Sequence, residues 1–248
     1  MTVPALRPGR IKAVPMKAPL KPLSASVNLL CNYIYHYYPF SFQLSTRLSS
    51  GFILHNPLKS VIILKRVINE MAVQYKKVKY DSDIKIIGVI ADTHIPTRGR
   101  IIPPGLYGIF EDVGLILHAG DLVDEQVLDE FKVLSPVEAV AGNMDPVMLQ
   151  SRLGRLKLIE VGSVKIGLLH GDISGHRINY DQVLELFLPE KPQAVVFGHL
   201  HQPVEDYYKE TLFFNPGSLI DPRRSPHPSC GLLQLNGSDI SSEIIYFD

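Results

Sequence analysis

Apolar and polar positions alternate in blocks through the carboxyl-terminal two thirds of the chain. Short runs rich in Val, Ile, Leu and Ala are bounded by Gly and polar residues, a pattern typical of buried β-strands. The five clearest runs span residues 86–91, 115–119, 137–141, 164–169 and 194–197. Segments of helical periodicity lie between them, such as residues 123–133 and 180–187. This alternation predicts an α/β domain with largely parallel strand pairing.

Each apolar run is followed by side chains that can bind a metal ion. In chain order, the candidate ligands are Asp92, His94, Asp121, Asn143, His170, His199 and His201. In open α/β sheets, functional groups gather beyond the carboxyl ends of the strands, so one fold can bring these residues together. Each cluster alone also matches an ordinary turn signal. Their joint occurrence after five successive runs indicates metal binding.

The donor atoms indicate the kind of metal centre. Carboxylate, amide and imidazole groups suit Mn²⁺, Fe or Zn²⁺ rather than a metal held by thiolates. Seven ligands are too many for one tetrahedral ion, and they fit two adjacent ions that share a carboxylate. Two metal ions roughly 3.5–4 Å apart serve in-line displacement at phosphorus.

The order and spacing of these motifs resemble those of the calcineurin-like metallophosphoesterase superfamily, and most closely its small single-domain phosphodiesterases of bacteria and archaea. The resemblance covers roughly residues 84–248. Its motifs here are Asp92-Thr93-His94, Gly120-Asp121-Leu122-Val123-Asp124, Gly142-Asn143-Met144-Asp145, His170-Gly171-Asp172, Gly198-His199-Leu200-His201 and Asn215-Pro216-Gly217-Ser218. The fold it implies is a sandwich of two mixed β-sheets flanked by helices.

The resemblance also implies two divalent ions, with Mn²⁺ expected and Fe, Zn²⁺, Ni²⁺ or Mg²⁺ as alternatives. The ligands it implies for the first ion are Asp92, His94, Asp121 and His201. For the second ion they are Asp121, Asn143, His170 and His199, with Asp121 bridging and a bridging hydroxide as the nucleophile. Asp121, Asn143 and His199 would thus act in catalysis through the metals.

The chain departs from the broad superfamily at Met144, where many members carry a His thought to protonate the leaving group. A thioether cannot donate a proton, so we expect a preference for good leaving groups or a surrogate acid. His176 is one candidate surrogate, and a histidine of a surface loop is the alternative.

Four further residues are weaker candidates. Asp145 is expected either to orient a ligand imidazole or Asn143, or to be a turn carboxylate. His118, inside an apolar run, is expected to be a hydrogen-bonded core histidine. Arg223 and Arg224 either contact a substrate phosphate, which suits the guanidinium group, or belong to the solvated surface.

The amino-terminal third differs sharply in charge. Residues 1–69 contain nine Lys or Arg and no Asp or Glu, whereas residues 70–248 contain sixteen basic and twenty-five acidic residues. The acidic part is not expected to bind nucleic acid, since such domains are usually basic on one face. We predict a basic extension over residues 1–83, disordered or mis-assigned, and a metallophosphoesterase domain over residues 84–248.

Two explanations of the extension remain open. Met71 as the true start is favoured over an organellar targeting segment, although scattered Ser and Arg without acids resemble a transit peptide.

No run approaches 18 apolar residues, so no membrane partner is expected. Cys31 and Cys230 suggest no disulfide framework, which suits the cytoplasm.

The function expected from the sequence is hydrolysis of a small phosphodiester by a metal-dependent phosphodiesterase. One alternative is a phosphomonoesterase, including a protein phosphatase. The other is a non-catalytic scaffold of the same fold, like the retromer subunit. Intact donor side chains at all seven positions favour an enzyme. Relatives in the family suggest a homodimer or higher homo-oligomer.

Overall fold

The computed structural model describes residues 75–174, 178–188 and 190–248. These residues form two mixed β-sheets that pack face to face. The six-stranded sheet has the strand order β1-β5-β6-β7-β9-β8, and the five-stranded sheet has the order β11-β10-β2-β3-β4. The predicted fold, an α/β sandwich of two mixed sheets, is confirmed.

The strands are β1 Lys76–Tyr80, β2 Ile86–Ile90, β3 Leu115–His118, β4 Val137–Ala139, β5 Leu156–Val161, β6 Val164–Leu169, β7 Ala194–Val196, β8 Pro203–Tyr208, β9 Thr211–Pro216, β10 Ser229–Asn236 and β11 Asp239–Tyr246. The α-helices are α1 Gly105–Ile109, α2 Gln126–Lys132, α3 Val147–Leu153 and α4 Tyr180–Leu186. A 3-10 helix spans Asp172–Ser174. Among the described residues, every helix falls short of the length and apolarity that a membrane span requires.

The five predicted apolar runs coincide with β2, β3, β4, β6 and β7. Strands β2, β3 and β4 pair in parallel in one sheet, and β6, β7 and β9 do so in the other. Antiparallel pairs add β10 and β11 to the first sheet and β5 and β8 to the second. Because both sheets have parallel centres, the carboxyl ends of the ligand-bearing strands lie along one edge of the sandwich.

The main core lies between the two sheets. Val89 and Leu117 of one sheet and Ile166 and Val196 of the other are fully buried in one cluster. A second cluster packs α1 and α2 on the outer face of the five-stranded sheet. There the ring of Phe110 covers Gly88, where a Cβ would lie 2.6 Å from a ring carbon. The five-stranded sheet is thus packed on both faces, which gives the loops at its edge a rigid base.

The six-stranded sheet begins upstream of residue 84, the predicted start of the domain. Strand β1 pairs in parallel with β5, with Lys76 opposite Lys157 and Tyr80 opposite Val161. The Tyr80 hydroxyl donates to Glu138 Oε1 at 3.0 Å, and Lys157 Nζ donates to Glu138 Oε2 at 2.6 Å. This polar cluster ties the edge of one sheet to β4 of the other. Residues 1–74 of the predicted extension lie outside the described residues.

Candidate metal centre

All seven candidate ligands follow the carboxyl ends of strands, as predicted. Asp92 and His94 follow β2, Asp121 follows β3, Asn143 follows β4, His170 follows β6, and His199 and His201 follow β7. Five of them are buried, while His199 is half-buried and Asn143 is exposed. The loops therefore form one site with a buried floor and an open side.

The first cluster consists of Asp92, His94 and His201, all of which are buried. His201 Nε2 lies 3.2 Å from His94 Nε2 and 3.3 Å from Asp92 Oδ1. The Nδ1 atom of His201 donates to the backbone oxygen of Asp221. This bond fixes the tautomer, so the lone pair of Nε2 points into the cluster.

The second cluster joins Asp121 to His170 and Asn143. His170 Nε2 lies 3.4 Å from Asp121 Oδ2 and 3.1 Å from Asn143 Oδ1. His170 Nδ1 donates to the backbone oxygen of Ala119 at 2.8 Å, so Nε2 again faces the site. The ring of His199 lies edge-on to that of His170, with centroids 5.2 Å apart.

The carboxylate of Asp121 lies between the two clusters. Its Oδ2 atom is 3.4 Å from His170 Nε2 in one cluster and 3.6 Å from His94 Nε2 in the other. One carboxylate oxygen thus approaches an imidazole of each cluster, which is the arrangement that a shared ligand needs.

Protonation in the site reflects burial and the close carboxylates. Burial raises the pKa of Asp92 to about 7, with the charge of His170 opposing the rise. Burial would lower the pKa of His170, but the interaction with Asp121 and the charge of Asp92 outweigh it and raise this pKa to about 9. Burial would raise the pKa of Asp121, but the hydrogen bond from His170 and the charge of His170 outweigh it and lower this pKa to about 2. A proton on His170 thus occupies the position that a cation would take.

The residues fit divalent metal ions. Ligand atoms of Asp92, His94 and His201 lie within 4.8 Å of one another, as do those of Asp92, Asp121 and His170. Asp92 Oδ1 is buried and has no hydrogen-bond partner among the described residues. A buried carboxylate oxygen without a partner is costly, and a cation at this place would satisfy it.

Backbone conformation at the ligands is unusual. Five of the seven have a positive φ, namely Asp92, His94, Asp121, His199 and His201. Such conformations cost energy for residues other than glycine, and they cluster at functional sites. The close approach of Gly142 to Asp121 adds a second constraint, because a Cβ on Gly142 would overlap the carboxylate of Asp121. The local chain is therefore shaped to place the ligands.

Asp145 was expected either to orient a ligand imidazole or Asn143, or to be a turn carboxylate, and the structure shows that its contacts are with the main chain. Its buried carboxylate accepts hydrogen bonds from three backbone N–H groups, those of Asp121 at 3.1 Å, Val123 at 2.6 Å and Gly142 at 2.7 Å. Asp145 therefore acts as a turn carboxylate in its own loop, through Gly142, and positions the loops that carry Asp121 and Asn143 through their main chain.

His118 is a hydrogen-bonded core histidine, as predicted. The Gly120 N–H donates to His118 Nδ1 at 3.2 Å, so the ring proton is on Nε2, which lies 3.1 Å from Thr93 Oγ1. Burial lowers the pKa of His118 to about 3, so the ring is neutral. The ring links the loop that carries Asp92 and His94 to the loop that carries Asp121.

The segment 215–218, to which the motif alone assigns no role, supports two ligand loops. The buried Asn215 side chain donates to the backbone oxygen of Gly198 at 2.7 Å. The Ser218 hydroxyl donates to the backbone oxygen of Asp92 at 2.7 Å and accepts from the Asp221 N–H at 2.9 Å. Asp221, which holds His201, was missed, because any residue can supply a backbone oxygen and no sequence signal marks it.

The remaining candidates lie around the site. Met144 is 56% exposed, and its backbone N–H donates to Asp121 Oδ1 at 2.8 Å. Arg223 and Arg224 are both exposed, and Arg223 pairs with Asp221 at 3.4 Å. His176, the candidate surrogate acid, lies outside the described residues.

Comparison with known proteins identifies the same family that the sequence motifs resemble. The family model of the calcineurin-like phosphoesterase superfamily domain matches residues 86–238. A probable metallophosphoesterase of Methanothermobacter thermautotrophicus is 40% identical over 160 residues, 64% of this chain and 91% of the relative. Phosphodiesterase MJ0936 of Methanocaldococcus jannaschii is 26% identical over 148 residues, 53% of this chain and 82% of the relative.

A solved structure shows the same fold. Vps29 of Chaetomium thermophilum has a TM-score of 0.55 at 23% sequence identity, covering 65% of this chain and 96% of Vps29.

Proposed function

The chain belongs to the calcineurin-like phosphoesterase superfamily, and from that premise we propose that it is a dinuclear metal-dependent phosphodiesterase acting on a small phosphodiester. The observation that carries the proposal is the position of Asp121 Oδ2 between His94 Nε2 and His170 Nε2, at 3.6 Å and 3.4 Å. A shared carboxylate between two imidazole clusters supports two ions rather than one.

In this proposal, each ion has four ligands. The first would be held by Asp92, His94, Asp121 and His201, and the second by Asp121, Asn143, His170 and His199. Bound divalent ions supply Lewis acidity that activates water and offsets the charge of a phosphate group. Oxygen and nitrogen donors of this kind suit Mn²⁺, the ion we propose.

The protein's own groups orient the ligands. The backbone oxygens of Ala119 and Asp221 accept hydrogen bonds from the Nδ1 atoms of His170 and His201, so both Nε2 atoms are directed inward. Asp145 and Ser218 fix the loops that carry Asp121 and Asp92. Positioning of this kind is the main contribution that a protein makes to transfer at phosphorus.

Preference for a diester is supported by the residue beside Asn143. Met144 cannot protonate a leaving group, so substrates whose alcohol leaves readily are favoured. The name of the 26% identical relative, a phosphodiesterase, agrees with this choice. A phosphomonoesterase, and a scaffold without catalysis, remain the alternatives that an assay must separate.

The test is hydrolysis of bis-p-nitrophenyl phosphate and p-nitrophenyl phosphate by the full chain, metal-free and with Mn²⁺. We expect Mn²⁺-dependent turnover of the diester well above that of the monoester. Loss of a group that only orients a ligand costs about 10–100-fold in affinity or activity, so Asn143→Ala should cost at least as much.

Asn236→Ala, an exposed Asn at the end of β10, is the matched control and should leave turnover unchanged. Faster turnover of the monoester would indicate a phosphomonoesterase. Absence of turnover in a protein that binds two ions would indicate the scaffold.

A further inference from the structure

Asp221 connects a candidate ligand to two arginines. Its backbone oxygen accepts the Nδ1 proton of His201, and its N–H donates to the Ser218 hydroxyl at 2.9 Å. Its side chain is 23% exposed, and Oδ2 lies 3.4 Å from Arg223 Nε and 3.8 Å from Arg98 Nε. The two guanidiniums therefore meet at a residue whose main chain is fixed against the metal centre.

Arg98 lies on the loop that follows β2 and carries Asp92 and His94, whereas Arg223 lies on the loop after β9, next to the residue that holds His201. The backbone N–H of Arg98 donates to the backbone oxygen of His94 at 2.9 Å, so Arg98 closes a turn that begins at a ligand. Arg223 follows Asp221 by two residues and has a φ of 48°, a left-handed conformation that turns the chain locally. The side chains are 61% exposed for Arg98 and 47% exposed for Arg223.

Most of the hydrogen-bonding capacity of this pair is unused. A guanidinium carries five N–H donors in a planar fork, and in the part of the chain that the structure describes, Asp221 is the one carboxylate paired with either arginine. Two positive charges against one negative charge leave an excess of one positive charge at the rim. This excess is local, since residues 70–248 carry more acidic than basic side chains.

The arginines are separated from the metal centre by one carboxylate. Asp221 Oδ2, which pairs with both guanidiniums, also lies 3.9 Å from His201 Nδ1. An anion bound by the guanidiniums would therefore lie beside a ligand of the first cluster.

Resting on the proposed function, we propose that Arg98 and Arg223 form an anion-binding site at the rim of the metal centre, which takes a phosphate oxyanion of the substrate. Planar guanidinium forks match the geometry of phosphate oxygens and bind them through paired hydrogen bonds. Asp221 pairs with both guanidiniums and connects them to His201 through its backbone oxygen. The site assigns a role to Arg223, which the sequence left open, and adds Arg98.

The experiment is calorimetric titration of inorganic phosphate into the full chain loaded with Mn²⁺. The double variant Arg98→Gln/Arg223→Gln is compared with the control Arg100→Gln/Arg224→Gln, which removes the same charge from exposed positions one or two residues away. We expect phosphate to bind about tenfold or more weakly to the first variant, and within about twofold of wild type to the control. Equal weakening in both double variants, or no weakening in either, would overturn the site.

A second titration, of Mn²⁺ into the metal-free proteins, separates anion binding from support of the ligands. Its stoichiometry and affinity should be the same in wild type and in Arg98→Gln/Arg223→Gln. A loss of Mn²⁺ affinity that parallels the loss of phosphate affinity would overturn the proposal, because the arginines would then act through His201. Phosphate binding that depends on the arginines in a protein without diester turnover would support this site and contradict the proposed function.

Discussion

The carboxylate of Asp145 accepts a hydrogen bond from the backbone N–H of Asp121 at 3.1 Å. The same oxygen accepts from Gly142, and the other accepts from Val123. One buried side chain therefore fastens the loop after β3, which carries the central carboxylate, to the loop after β4, which carries Asn143. The geometry of both ligands depends on a residue that binds main-chain groups.

Asp145→Asn should weaken both metal binding and folding. The amide replaces one accepting oxygen by an NH₂ group that faces backbone N–H donors, which leaves buried donors without an acceptor. We expect a loss of about 1–3 kcal/mol in the free energy of unfolding and of roughly 10–100-fold in Mn²⁺ affinity. Chemical denaturation and calorimetric titration measure the two effects.

Asp129→Asn serves as the control, because Asp129 is an exposed carboxylate on α2 that pairs with Lys132. Its effect on stability should stay within about 0.5 kcal/mol, with Mn²⁺ affinity unchanged. Unaltered Mn²⁺ affinity in Asp145→Asn would show that Asp121 keeps its position without this support.

Asp92→Asn should have opposite consequences with and without metal. Asp92 Oδ1 is buried without a hydrogen-bond partner among the described residues, and a second carboxylate, Asp121, is close. Removing the charge should leave the metal-free protein at least as stable as metal-free wild type. Mn²⁺ should stabilise wild type by about 2.7 kcal/mol at 100 times the dissociation constant and so raise its melting temperature. It should raise that of the variant less, because only the second ion keeps all its ligands.

Thermal unfolding in chelator and in excess Mn²⁺ measures this difference. Asp112→Asn, at an exposed position, should respond to Mn²⁺ like wild type. An equal rise in melting temperature for Asp92→Asn would mean that Asp92 does not hold Mn²⁺.

The Glu190 carboxylate should give a pH-dependent contribution to stability. It accepts from Lys77, from Lys165 at 2.9 Å and from the Tyr75 hydroxyl at 3.3 Å. The hydrogen bonds from Lys77 and Lys165 lower its pKa from 4.5 to about 2. A lowered carboxyl pKa stabilises the folded state above the unfolded pKa, and this stability is lost as the pH falls from about 4.5 toward 2.

Glu190→Gln should therefore be less stable than wild type at pH 7, and the difference should shrink at pH 3. Denaturation of both proteins at each pH measures it, with Glu185→Gln, at an exposed position of α4, as the control. A difference of the same size at both pH values would assign the effect of Glu190 to packing.

The parts of the site that the sequence predicted are those with a side-chain signature. The runs that became β2, β3, β4, β6 and β7 are short, apolar and directly followed by metal-binding side chains. Since parallel strands expose their carboxyl ends along one edge, the pattern was sufficient to bring the seven residues together.

What the sequence did not predict depends on the main chain and on distant pairing. Asp145 binds N–H groups and Asp221 offers a carbonyl oxygen, and neither contact leaves a pattern in side-chain chemistry. The positive φ of Asp92 and Asp121 opposes their local preference and is imposed by the surrounding fold. Strand β1 was not predicted, because its partly exposed sequence becomes a strand only by pairing with the remote β5.

Met144→His tests whether the missing acid limits the choice of substrate. The backbone N–H of Met144 donates to Asp121 Oδ1, and its side chain is exposed, so a His here lies beside the metal centre with room to turn. General acid catalysis contributes roughly 10²–10⁴-fold to a rate. Because a new His is not optimally placed, we expect Met144→His to hydrolyse diesters with alkyl leaving groups about tenfold or more faster than wild type. Bis-p-nitrophenyl phosphate should gain little, because p-nitrophenolate leaves without a proton.

The informative quantity is the rate increase for the alkyl diester divided by the rate increase for bis-p-nitrophenyl phosphate. Changes in folding or metal loading affect both rates equally and cancel in this ratio. Met148→His, at an apolar position that is 86% exposed, should leave the ratio unchanged. If Met144→His accelerates only the alkyl diester, with a rate that falls as the pH rises and the imidazole loses its proton, position 144 sets the preference for leaving groups. Equal gains for both diesters would instead mean that the new side chain acts on metal or substrate binding.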